Sequence, residues 1–187
     1  MNKKTNSKNV SQVNTEKLIA ELNSKDLRTH VKARLCLLTM GKDAIPCLVQ
    51  ALEDDNREIR WETAKILAEM RNPVLAPILT VGLENKDPDV RWLSAEGLLA
   101  LGKEALSPLL SSLIEKPTST MLLHGAHHVL QDFYLKRRHE GEGQYYSLVS
   151  ISDEIREYLK PVVKALESDE PSHSLPAAAK AALDYLG

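Results

Sequence analysis

An all-α, right-handed solenoid of about five stacked helical hairpins is the fold class this sequence predicts, and three observations predict it. Pro46, Pro77 and Pro108 recur every 31 residues. Arg60-Trp61 and Arg91-Trp92 keep the same interval of 31. A fixed period in this range marks repeated supersecondary units that bury their faces against one another. The third observation is composition. Of 187 residues 43% are apolar but only 4% aromatic, and Leu and Ala dominate. That balance favours helix-on-helix packing over a sheet.

Residues 1–14 are polar and rich in Asn, Lys and Ser, and read as a disordered tail ahead of one repeat domain over 15–187. The first hairpin is expected at 15–23 and 26–40, closed by Gly41. In the second, 44–53 carries Ile45, Leu48, Val49 and Leu52 at helical spacing, and Pro46 sits in the first turn, where its missing N–H costs nothing. Asp54-Asp55-Asn56 then breaks the helix and supplies cap side chains for 57–71. The third hairpin repeats this with the turn Asn85-Lys86-Asp87-Pro88, where Asp caps and Pro opens the helix, and Gly102 ends it. The fourth is expected at 105–115 and 118–136. The next aligned proline, Pro161, follows Pro108 by 53 residues, 22 more than one period. The excess falls in the fourth hairpin's second helix and in an insertion at 136–150. A fifth hairpin, with its first helix at 152–167 and a short Ala-rich second helix at 176–187, caps the array.

The string Asp87-Pro88-Asp89-Val90-Arg91, followed by Ala95, Leu98-Leu99 and Leu101-Gly102, resembles the HEAT-repeat pattern. It looks most like the short bacterial and archaeal HEAT-like repeats found in phycobilin lyases. The likeness covers about 15–187 and is tightest over 44–116. It implies that the second helices line a concave surface. It also implies that Asp55, Arg60, Asp87 and Arg91 form a hydrogen-bond ladder between repeats.

On that surface Trp61 and Trp92 share one register and lie off the buried stripes Ile59/Thr63 and Val90/Ser94. They either fill the seam between neighbouring helices or stand side by side as aromatic anchors for a partner. Glu62, Lys65 and Glu96 are expected to rim them with mixed charge. On the 31-residue ruler His124 aligns with Glu62 and Leu93, and His127 with Lys65 and Glu96, so both are expected beside the tryptophans. His128 aligns with Ile66 and Gly97 and is expected to point inward. His124 and His128 also have the four-residue spacing of two metal ligands on one helix face, with Asp132 as a possible third. Position 125 is Gly, so the zinc-protease HExxH pattern is absent. His139-Glu140 occurs once, without the repeated pairs of HEAT-like iron hydroxylases.

The charge and the missing motifs narrow the function. A net charge of −2 is wrong for a dedicated nucleic-acid binder, although residues 1–42 hold nine Lys/Arg against three Asp/Glu. Lys136-Arg137-Arg138-His139 with Tyr145-Tyr146 adds a basic and aromatic element inside the insertion. No 18-residue apolar run and no apolar leader occur, and Cys36 and Cys47 both read as reduced, buried thiols, which points to the cytoplasm. No Gly-rich phosphate loop, no GxSxG and no CxxC is present. The expectation is a non-enzymatic module, without cofactor or metal, that binds another protein or a peptide. The rival readings are a lyase-like accessory that handles a chromophore or cofactor, and a nucleic-acid binder.

Overall fold

A computed structural model describes residues 12, 14–135 and 151–187. The 136–150 insertion, with its basic run and His139-Glu140, and nearly all of the expected tail lie outside the described residues. Helices joined by short turns make up the described residues, with no strand among them. The chain divides into two compact units, Met1–Met70 and Arg71–Gly187.

The first unit contains α1 (14–21), α2 (Leu27–Met40), α3 (Ile45–Ala51) and α4 (Arg57–Glu69). Local chemistry sets each boundary. Asp26 caps α2 by accepting from the Thr29 N–H and hydroxyl. These bonds from Thr29 hold its carboxyl below the ordinary range. Gly41 closes α2 at φ 56°, a left-handed value that favours glycine. Pro46 lies in the first turn of α3, and Asn56 caps α4 by accepting from the Glu58 N–H at 2.9 Å. Leu22, Leu37, Leu48, Ile66 and Leu67 are fully buried in the core.

Charge also fixes α2 against α4. Buried Glu62 faces His30 Nε2 and Arg34 Nε, each at 3.4 Å, and Arg34 Nη2 donates to Glu69. His30 Nδ1 lies 2.7 Å from the Leu22 carbonyl oxygen and donates there.

The second unit contains α5 (Ala76–Gly82), α6 (Pro88–Leu101), α7 (Leu106–Glu115), α8 (Thr120–Leu135), α9 (Asp153–Leu166) and α10 (Pro171–Leu186). Asp87 caps α6, and Gly102 ends it at φ 64°. The run Pro88–Glu115 is, by length and composition alone, long and apolar enough to cross a membrane. It is folded instead into α6, a turn at Gly102 and α7, and Leu98, Leu106, Leu109, Leu110 and Leu113 are fully buried in the helical core.

Two features of the last hairpin depart from the sequence reading. First, α5 packs on α7 and α6 on α8, but α9 then packs on α8 while α10 packs on α7. The layers are α5–α7–α10 and α6–α8–α9, so the two helices of the terminal hairpin exchange the places expected of them. The inner face of α10 explains the exchange. Its buried residues Leu175, Ala179 and Ala182 form that face, and α10 packs on both α7 and α9. Second, α10 starts at Pro171 rather than 176. Pro176 is its sixth residue and forfeits one bond, to the Ser172 carbonyl.

Candidate functional site

The turns that aim the second helices are built alike in both units. Asp54 accepts from the Asn56 N–H at 2.8 Å, and Asn85 accepts from the Asp87 N–H at 2.9 Å. Arg60 donates to the Asp54 and Asp55 carbonyls at 2.8 and 3.1 Å. Arg91 donates to the Asn85 and Lys86 carbonyls at the same two distances. These four guanidinium bonds lie within one hairpin and lock its turn. Asp87 serves as a cap, accepting from the Asp89 N–H, and Asp55 takes part through its carbonyl.

In the second unit this geometry opens a cleft of about 370 Å³ between α6 and α8. Trp92 and Arg91 from α6 and Met121, His124 and His128 from α8 line it. Trp92 is 55% exposed and Met121 48%. The floor is Leu83, and α8 reaches it because residue 125 is glycine: a Cβ there would come within 2.9 Å of Leu83 Cδ2. The cleft therefore offers an indole face and a pliant thioether over an apolar floor, with imidazole and guanidinium donors at its edge.

The expected site residues are only partly brought together. Trp92 and His124 share the cleft. Trp61 belongs to the first unit, where it is half-buried with Lys65 Nζ 4.7 Å from its ring centroid, a cation–π contact. Glu62 and Glu96 do not form an exposed rim. Glu62 is buried against His30 and Arg34, and Glu96 is 6% exposed with Oε1 3.4 Å from His128 Nε2. His127 turns away from the tryptophan and lies 3.4 Å from Glu167, just past the end of α9. His128, expected to point inward, is half-exposed at the cleft wall. The metal alternative finds His128 already facing Glu96 and Asp132 buried. Among the described residues no group of three or more His, Cys, Asp or Glu is placed to hold an ion.

One cause accounts for the histidine shifts. The 31-residue ruler holds for the first helices, as Leu79 and Leu110 show, both buried. From Pro108 to the start of α8 at Thr120 is 12 positions, against 11 from Pro77 to the start of α6 at Pro88, so the second helices of the third and fourth hairpins run at 32. Val90 pairs in register with Leu122, Leu98 with Leu130 and Leu101 with Phe133, all buried. On the corrected ruler His124 matches Trp92 and His128 matches Glu96. The signal was in the sequence: Ser119, not residue 118, is the counterpart of the capping Asp87, and its side chain and carbonyl accept from the Leu122 and Leu123 N–H groups in the first turn of α8. Met121 and Leu83 carried no polar or aromatic flag, and only packing identifies them as lining.

A family model described as HEAT repeats matches residues 15–84 and again 45–131. No curated protein matches the chain.

Proposed function

The chain belongs to the HEAT-repeat family, and from that premise we propose that it is a non-enzymatic scaffold module whose α6–α8 cleft receives a side chain of a partner protein or peptide. The observation that carries this reading is the exposed Trp92–Met121 pair above the Leu83 floor. Exposed aromatic and thioether side chains beside a preformed recess gain most by being covered, and a recess held by helix packing orders little on binding. A cleft of about 370 Å³ suits one large apolar side chain, with His124 and Arg91 at the edge to meet a carbonyl or carboxylate of the same segment. Trp61, held by Lys65, is a second anchor presented by the first unit.

The reading is tested by affinity capture from the native host with the wild-type chain and with Trp92→Ala. The expected result is a protein retained by the wild type and lost from the variant. Equal retention by both, or the capture of nucleic acid or a coloured small molecule in place of a protein, contradicts it.

A further inference from the structure

We propose that the α1–α2 face of the first unit is a second docking groove, built for an acidic amphipathic helix of a partner protein. Leu27, Val31 and Leu35 stand at successive four-residue steps on α2, one straight apolar row. Leu27 is 73% exposed and Leu35 58%. With Leu18 of α1 as the opposite wall, they line a groove of about 840 Å³. This row is not the face that α2 turns to the core, which is Ala33 and Leu37.

Charge selects the occupant. A second row, Arg28, Lys32, Cys36 and Met40, runs beside the first and also lines the groove. No carboxylate lines it, and α2 from Leu27 to Met40 contains no Asp or Glu. The other cation of α2, Arg34, is used internally by Glu62 and Glu69, whereas neither Arg28 nor Lys32 forms an ion pair among the described residues. An apolar row flanked on one side by two cations one turn apart is the complement of a helix with apolar residues at three- and four-residue spacing and carboxylates along one flank. Fourteen residues of α2 span about 21 Å, which matches a partner helix of roughly four turns. The chain's own first eleven residues do not fit this description: they hold three lysines, no carboxylate, and Met1 and Val10 as the only apolar side chains.

Cys36 makes the groove observable. Its thiol lies in the lining and is half-buried, whereas Cys47 is buried and its thiol is pushed up by that burial. The experiment selects a displayed library of random peptides, about 16 residues long, on the immobilised full chain, then measures individual synthetic binders by fluorescence anisotropy. The selected peptides are expected to be acidic and amphipathic. They are expected to lose about tenfold or more in affinity for Leu35→Glu and for the Arg28→Glu/Lys32→Glu pair, to keep their affinity for Trp92→Ala, and to shield Cys36 from alkylation. The substituted positions Arg28, Val31, Lys32 and Leu35 are exposed, so circular dichroism is expected to show intact folding, and Val31→Glu gives an independent second variant. Binders that ignore these substitutions, a preference for basic peptides, or a selection that enriches nothing overturns the proposal. So does a wild-type dimer in sedimentation that Leu35→Glu dissociates, since that assigns the face to a second copy of this chain.

Discussion

His128 Nε2 lies 3.4 Å from Glu96 Oε1, and these two residues are 32 positions apart in a chain whose visible ruler is 31. The contact records the one-residue slip between the third and fourth hairpins. It also sets a charge that is nearly fully buried, Glu96, against a half-exposed imidazole at the wall of the cleft. The Glu96 Oε2 atom is buried without a hydrogen-bond partner, so the carboxylate depends heavily on its remaining contacts.

His128→Leu is therefore expected to destabilise the chain by about 1–3 kcal/mol, because it strips a partner from a buried carboxylate. Adding Glu96→Leu is expected to recover most of that loss, since replacing both polar groups removes the desolvation problem itself. Urea unfolding of the two variants measures this. A double variant no more stable than the single one contradicts the pairing.

The same packing logic applies where α5 meets α6. A Cβ added at Gly82 would collide with the Ser94 side chain. Gly82→Ala is expected to cost about 1–3 kcal/mol despite alanine's better helix propensity. Ser94→Ala in that background removes the hydroxyl nearest the new methyl and is expected to restore part of the stability. Additive losses from the two substitutions, measured by thermal unfolding, contradict the close approach.

The acid dependence of stability has a defined contributor in Glu84. Burial pushes its carboxyl up, but hydrogen bonds from Lys116 Nζ at 2.5 Å and the Ser119 hydroxyl at 2.6 Å outweigh burial and leave it below the ordinary glutamate range. A carboxyl depressed in the folded state contributes stability that is present above its unfolded pKa. That contribution is lost as pH falls through the folded value. Between neutral pH and pH 3 the wild type is expected to lose more stability than Glu84→Gln. Parallel pH profiles from denaturant unfolding contradict it.

What the sequence made legible was whatever repeats. Arg60 and Arg91, 31 residues apart, hold their turns with bonds of equal length, and Asn56 and Asp87 cap with nearly equal backbone angles. Capping and turn chemistry act over a few residues, so spacing and residue type suffice to find them. The fate of Glu62 was not legible, because its partners His30 and Arg34 belong to a different hairpin and no local pattern announces them. The exchange of α9 and α10 was hidden for a similar reason: the alanines of α10 announce a helix but not which layer it joins. Cys36, expected in the core, proves half-buried because α2 carries an apolar row on a face that does not meet α4.

The most direct test of the α6–α8 cleft as a docking site is the affinity of the captured partner for Trp92→Ala, measured by titration calorimetry beside the wild type and Trp61→Ala. An anchor of this kind is worth about 2 kcal/mol, so Trp92→Ala is expected to weaken binding about 30-fold with folding unchanged. A dissociation constant for Trp92→Ala within about twofold of the wild type, less than half a kcal/mol, contradicts the account.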